Sequence, residues 1–170
     1  MKKRILLTSF DTWLPHHKSN SSDDLLIEVG KLESRPHDFT FLRLLPVDVK
    51  LASSRVIEKI QESQPDAVLC CGMAESRRQL SLEKNANWEE SVLQTTIDLE
   101  KLVAGVGSIQ ISHDCGKFVC EGLYYSVLDY LHQFQLTGKC IFVHVPILTE
   151  ENSPGLLADF LLVIHRLALS

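Results

Sequence analysis

Short apolar runs alternate along this chain with longer segments of helical character, and this alternation constrains the fold. The runs are RILLTSF (4–10), FTFLRLLP (39–46), AVLCC (67–71) and CIFVHVP (140–146). Each is typical of a buried strand. Helices are expected at about 21–32, 49–61, 120–134 and 152–168. Strands that alternate with helices predict an α/β protein with a mostly parallel sheet covered on both faces.

The rest of the chain is harder to interpret. Residues 78–83 and 107–113 are weaker strand candidates, and residues 84–105 carry no clear pattern. A length of 170 residues fits one domain, and neither an internal repeat nor a linker interrupts it. We therefore expect a single domain over residues 1–170.

The net charge, the lack of long apolar runs and the number of cysteines exclude several classes of protein. The formal net charge of -5 argues against nucleic acid as a partner. No segment reaches the ~18 apolar residues of a membrane helix, and the apolar run after the basic start is too short for a signal peptide. Five cysteines, an odd number, argue against a disulfide framework. The expected compartment is the cytoplasm.

Three side chains are candidates for chemistry. Cys120 lies at the start of an expected helix, where the helix dipole favours a thiolate. His144 interrupts an apolar strand near its carboxyl end, and a neutral imidazole there can accept a thiol proton. Glu83 follows the strand that ends at Gly72, and a carboxylate can orient an imidazole. Taken singly, each also fits a structural role: a buried thiol, a histidine satisfied by a carbonyl, or a surface charge.

Other histidines are weaker candidates. His113 lies near Cys120 in the sequence and is a rival base. His16 and His17 are interpreted as part of a solvated loop, because two adjacent histidines alone do not make a metal site. No C-x-x-C pair is present, so a structural zinc site is not expected.

Several segments resemble pyroglutamyl-peptidase I, also called pyrrolidone-carboxylate peptidase, a family of cysteine peptidases that remove N-terminal pyroglutamate. RILLTSFDTW resembles the family's opening strand and aromatic loop, and LRLLPV resembles its second strand. The segment 72–83 resembles the family string G-x-A-x-x-R-x-x-I-x-x-E, with Leu80 at the position of the isoleucine. CGKFVCEGLYYSVL resembles the string around the nucleophile, and CIFVHVP resembles the strand with the histidine. Cys120 and His144 are 24 residues apart, as in the family.

The resemblance implies a three-layer α/β/α sandwich with a mostly parallel, mixed central sheet of phosphorylase/hydrolase-like architecture. It implies a thiol peptidase that uses neither metal nor cofactor. Cys120 would be the nucleophile, His144 the acid and base, and Glu83 the group that orients the histidine. The implied partner is a small peptide with a blocked N-terminus, and assembly as a homo-oligomer is left open.

The resemblance also implies a substrate pocket. Phe10 and Trp13 match the aromatic positions that enclose the flat lactam ring. Met73 stands where the family usually has a glutamine that reads the lactam. Apolar stacking on a small ring suits the two aromatic side chains.

Departures from the family pattern leave more than one function open. Glu121 replaces an asparagine beside Cys120, and its negative charge would oppose thiolate formation. The segment between Glu83 and Cys120 is shorter than in the family by roughly 25 residues. A related hydrolase of altered specificity, and a catalytically silent relative that acts in binding or assembly, are therefore alternative hypotheses. A redox protein that pairs Cys115 with Cys120 is a further one.

Overall fold

The computed structural model describes residues 1–170 and contains eight strands and five helices. The strands are β1 (Arg4–Phe10), β2 (Asp38–Leu45), β3 (Ala67–Met73), β4 (Leu80–Glu83), β5 (Asn85–Trp88), β6 (Ser91–Gln94), β7 (Ile109–Ser112) and β8 (Lys139–Val145). The helices are α1 (Ser21–Gly30), α2 (Val49–Ser63), α3 (Leu99–Val103), α4 (Val119–Gln133) and α5 (Ser153–Leu169).

Six of the strands form one mixed sheet in the order β2-β1-β3-β8-β4-β7. The first four of these are parallel to one another. β4 runs antiparallel to β8, and β7 is parallel to β4. The predicted α/β class with a mostly parallel, mixed sheet is confirmed.

Helices cover both faces of this sheet, so the molecule has three layers. Apolar side chains of α1, α3 and α5 pack on one face, which we call the α1/α5 face. Those of α2 and α4 pack on the other, which we call the α2/α4 face. Successive strand residues point to opposite faces. On β3, for example, Leu69 and Cys71 enter the first core, whereas Val68 and Cys70 enter the second.

Local chemistry explains where the helices begin. The side chain of Asn20 caps α1 by accepting a hydrogen bond from Ser22 N at 3.0 Å. Asp48 caps α2 in the same way, and Pro154 occupies the first turn of α5.

The segment without a clear sequence pattern is structured. The hairpin β5–β6 forms a separate two-stranded sheet that packs on α4 through the buried Ala86, and the short helix α3 follows it. Its strands have four residues each, too few to show a convincing alternation. None of the helices is long and apolar enough to cross a membrane.

Candidate active site

Cys120 is the second residue of α4 and lies on the α2/α4 face of the sheet. The residue that caps this helix, Phe118, makes no hydrogen bond to it with its side chain. The first N–H groups of a helix have no partner within the helix. The half-buried thiol of Cys120 therefore lies at a helix end that has hydrogen-bond donors to offer a ligand.

Gly72 on β3 leaves the space that the Cys120 thiol occupies. A Cβ atom at position 72 would lie only 2.5 Å from Cys120 Sγ and 3.0 Å from Cζ of Phe142. Any other residue here would displace the thiol or the ring. Glycine is required at this position because α4 approaches the sheet too closely to leave room for a side chain.

His144 shares this environment. It is the register partner of Gly72 across β3 and β8, so both residues project toward the α2/α4 face. Nδ1 of His144 lies 2.7 Å from Oε1 of the fully buried Glu83. A carboxylate only accepts, so Nδ1 carries the proton and Nε2 of the neutral ring keeps its lone pair. The structure brings together Cys120, His144 and Glu83 on one face, and Cys120 Sγ has no hydrogen bond to the imidazole.

Arg77 forms the second contact of the Glu83 carboxylate. Nη1 donates to the same oxygen, Oε1, that accepts from His144. Nη2 donates to Asp114 O at 2.7 Å and to Ser112 Oγ at 3.2 Å. Arg77 therefore neutralises the buried carboxylate and ties it to the end of β7. This arginine belongs to the G-x-A-x-x-R-x-x-I-x-x-E string, but the sequence alone assigned it no role.

The pKa of the Cys120 thiol is raised to about 12, mainly by burial and next by the charge of Glu83, while Arg77 acts in the opposite direction. Burial thus opposes the ionisation that the dipole of α4 was expected to favour. Glu121 was expected to oppose ionisation. Its side chain turns instead toward the hairpin, where Oε1 accepts a hydrogen bond from Asn87 N at 2.9 Å.

The two aromatic candidates lie at different depths. Phe10 ends β1 on the α2/α4 face and is almost completely buried, at 1% exposure. Trp13 is half-buried in the loop that follows, and its ring centroid is 6.4 Å from that of Phe118. Because Phe118 precedes Cys120 by two residues, Trp13 lies near the start of α4. Phe118 itself is 56% exposed, and no sequence signal singled it out.

Met73 is placed apart from these groups. It follows Gly72 on β3, so its side chain points to the α1/α5 face, opposite Cys120. Its sulfur accepts a hydrogen bond from Ser21 N at 3.4 Å, at the start of α1. The structure therefore does not bring Met73 together with the thiol, and the expected contact with substrate is not supported.

The other candidate histidines, His113 and His17, differ in their exposure and in their contacts. His113 is exposed, and in this structure His144, not His113, meets a carboxylate. His17 does not belong to a solvated loop as expected, because its side chain is only 4% exposed and binds Glu75. All five cysteines are free thiols.

This arrangement suits nucleophilic acyl transfer. It combines a thiol at a helix start, an imidazole with a free Nε2 on the same face, and a buried carboxylate that fixes the imidazole. Tyr124, one turn after Cys120 on α4, adds support by donating its hydroxyl proton to Glu83 O at 2.8 Å. The long Tyr124 side chain gave no signal in the sequence beyond that of a core residue.

Comparison with known proteins identifies relatives. No protein-family model matches the sequence. The pyrrolidone-carboxylate peptidase of Thermoanaerobacter sp. (strain X514) is 32% identical, with 89% of this chain and 87% of the relative covered. Pyrrolidone-carboxylate peptidase 2 of Caldanaerobacter subterraneus subsp. tengcongensis is also 32% identical, over 89% of this chain and 86% of the relative.

Solved structures share the fold. Pyroglutamyl peptidase I of Bacillus amyloliquefaciens superposes with a TM-score of 0.86 at 18% identity, covering 99% of this chain and 98% of that one. Pyrrolidone carboxyl peptidase of Thermococcus litoralis gives 0.82 at 17% identity, covering 98% and 93%. At these identities the likeness concerns the fold.

Proposed function

The chain belongs to the pyrrolidone-carboxylate peptidase family, and from that premise we propose that it is a cysteine peptidase that removes an N-terminal pyroglutamyl residue from peptides. We assign Cys120 as the nucleophile, His144 as the general base and acid, and Glu83 as the residue that orients His144. The observation that carries this proposal is the 2.7 Å contact between His144 Nδ1 and Glu83 Oε1, on the face where Cys120 Sγ packs against Gly72.

In the acylation step, Nε2 of His144 takes the Cys120 proton while Sγ bonds to the carbonyl carbon of the pyroglutamyl residue. The raised thiol pKa favours this concerted route over a standing thiolate, because the thiol is protonated at neutral pH. N–H groups at the start of α4 and in the loop after β1 would stabilise the oxyanion. The C–N bond then breaks, and the leaving amine takes the proton from His144.

In the deacylation step, His144 accepts a proton from water while the water oxygen attacks the thioester carbon. Collapse of the second tetrahedral intermediate breaks the C–S bond, and the proton returns to Sγ. The products are pyroglutamate and the shortened peptide. Glu83 stabilises the imidazolium in both steps, and Arg77 holds the Glu83 carboxylate in place.

The lactam ring would bind near the first loop. We propose Phe10 as the floor of this pocket and Trp13, beside Phe118, as the side chain that closes over the ring. Met73 has no part in it, since its sulfur is engaged by α1. A free thiol nucleophile needs a reducing environment, which fits the cytoplasm. Assembly as a homo-oligomer stays a prediction, which size-exclusion chromatography would test.

The test is release of a fluorescent amine from a pyroglutamyl amide. We expect wild-type protein to turn the amide over, and Cys120→Ser and His144→Gln to lose activity while keeping their circular dichroism spectra. His113→Gln is the matched control, because it removes an exposed histidine close to Cys120 in sequence. Undiminished turnover in Cys120→Ser would overturn the assignment of the nucleophile.

A folded wild-type protein without turnover would point to a hydrolase of altered specificity or to a catalytically silent relative. Alkylation of Cys120 by iodoacetamide then distinguishes these two functions. A reactive thiol indicates a hydrolase for another small amide. A thiol that stays unreactive even at pH 10, where the thiolate is more abundant, indicates a silent relative.

A further inference from the structure

Two loops that follow neighbouring strands meet outside the proposed catalytic residues. One is the loop after β1, with His16 and His17, and the other is the turn after β3, with Glu75. Nε2 of His17 binds Oε1 of Glu75, and Nε2 of His16 lies 3.5 Å from its Oε2. The three side chains each offer one ligand atom, and these atoms all lie within 4.8 Å of one another.

The chemistry of this group is that of a metal site. We propose that His16, His17 and Glu75 bind a divalent transition-metal ion, with Zn²⁺ as the best fit. Two imidazoles and one carboxylate are a donor set that zinc takes in proteins, with bonds of about 2.0–2.2 Å and a fourth position left to water. Hard ions such as Mg²⁺ prefer sites made of oxygen ligands.

Both loops are already ordered, so binding would require only small movements. His17 N donates to Leu14 O at 3.0 Å, and Arg77 N donates to Ala74 O at 3.1 Å, so a turn fixes each ligand segment. The His17 side chain is almost completely buried, which limits the positions it can adopt. Preorganised ligands lose less conformational entropy when they bind.

Metal binding must change one contact of His17. Nδ1 now accepts from Leu14 N at 3.3 Å, so Nε2 carries the ring proton and donates it to Glu75. A metal needs the Nε2 lone pair, so the proton moves to Nδ1 and the Leu14 contact opens. The ring of Trp13 packs edge-on against His17, with centroids 4.5 Å apart. Binding should therefore alter the surroundings of Trp13.

The binding test uses Cys120→Ser protein, because a thiol and an imidazole at the catalytic position could also hold zinc. Calorimetric titration with Zn²⁺ should give one equivalent. His16→Gln and Glu75→Gln should each raise the dissociation constant for Zn²⁺ by about tenfold or more. Even the loss of a residue that only supports a metal ligand changes metal affinity by that much. His132→Gln, which removes an exposed histidine on α4, should leave it unchanged. The side chain of His16 is 65% exposed and that of Glu75 is 38% exposed, so neither belongs to a core and these variants should fold.

A second readout reports on the location of the metal. In Trp88→Phe protein, Trp13 is the one remaining tryptophan, and its fluorescence should change on addition of Zn²⁺ and recover with a chelator. Absence of binding at millimolar Zn²⁺ would overturn the proposal. So would binding that persists unweakened in both His16→Gln and Glu75→Gln. Neither result depends on whether the protein is a peptidase.

Discussion

The Glu83 carboxylate has no exposure to solvent, and His144 and Arg77 share one of its oxygens. A buried negative charge is costly unless it is paired. The pairing is therefore a condition of stability as well as of the proposed chemistry. It also fixes the imidazole tautomer, which leaves Nε2 free to accept the thiol proton.

Replacement of this carboxylate should act mainly on the chemical step. Glu83→Gln keeps the size of the side chain but removes the charge that stabilises the imidazolium, so we expect kcat to fall by about 10²–10⁴-fold. Glu121→Gln is the matched control. Glu121 is also buried, but it lies on α4 and accepts its hydrogen bond from Asn87 N instead of from His144. The measurement is kcat of both variants with a pyroglutamyl amide. A kcat within about threefold of wild type would remove Glu83 from the mechanism.

The Cys120 thiol gives a prediction that depends on pH. Its pKa is raised from 9.0 to about 12, so the reactive thiolate should become more abundant with every step in pH up to that value. The rate of alkylation by iodoacetamide should therefore rise without a plateau from pH 7 to 10. Subtraction of the rate in Cys120→Ser removes the contribution of the other cysteines. A plateau below pH 8 would reveal a standing thiolate–imidazolium pair instead.

The sequence named Cys120, His144 and Glu83 as candidates, although each taken singly also fitted a structural role. It was the resemblance to the pyroglutamyl-peptidase I family that selected the three together. The direction of Met73 could also have been predicted, since alternation along β3 puts it on the face opposite Gly72. The pairing of Arg77 with Glu83 is different. It depends on where the turn after β3 places the guanidinium, and strand periodicity carries no such information.

At the level of elements, α4 depends on close packing at Gly122. A Cβ atom there would lie 2.7 Å from both Cγ atoms of Val49 on α2 and 3.0 Å from a ring carbon of Trp88 on β5. Three elements therefore converge on a position that has no side chain. α4 also carries Cys120, so this packing fixes the helix that holds the thiol.

Gly122→Ala should destabilise the protein although alanine favours helices. Overpacking costs about 1–3 kcal/mol, and the gain in helix propensity offsets at most about 1 kcal/mol of it. The expected fall in melting temperature is about 2–4 °C for each net kcal/mol. Gly155→Ala on α5 has open space around it and should be neutral or stabilising. Thermal melts that rank both variants at or above wild type would refute this packing argument.

The order of most elements could be predicted from apolar periodicity, but strand direction could not. β4 is antiparallel to β8 because the short turn 74–79 leads the chain from the end of β3 past β8 and reverses its direction. Local hydrophobicity is the same for either direction. Residues 84–105 were also beyond the sequence signal, since β5, β6 and α3 are each only four or five residues long.

At the scale of the whole molecule, two separate cores lie on either side of one sheet, and free cysteines contribute to both. Cys71 belongs to the α1/α5 core, whereas Cys115 and Cys140 belong to the α2/α4 core. Burial raises the pKa of Cys71 and Cys115, and contact with Cys70 together with burial raises that of Cys140. The shared consequence for alkaline stability depends on the packing of these thiols in the two cores.

These thiols should make the fold sensitive to alkali. A thiol whose pKa is higher in the folded than in the unfolded chain stays protonated in the fold while the unfolded chain ionises. The contribution of these thiols to the free energy of unfolding is therefore fully present below the ordinary thiol pKa of 9.0. It is lost as the pH rises from there toward the pKa of the thiols in the folded chain. Each such thiol should lower the free energy of unfolding by about 1.4 kcal/mol per pH unit in this range.

Urea unfolding under reducing conditions, repeated between pH 7 and 10.5, measures this effect. We expect a constant free energy of unfolding up to about pH 8.5 and a steep fall above pH 9. Cys71→Ala removes one thiol on the α1/α5 face, the face of the sheet opposite the proposed catalytic groups. Its curve should fall less steeply by about 1.4 kcal/mol per pH unit, and it should start from a lower value because of the small cavity. A curve as flat at pH 10 as at pH 8 would mean that the buried thiols reach solvent in the folded protein. In that case the high pKa of Cys120, and the base-assisted activation inferred from it, would lose their physical basis.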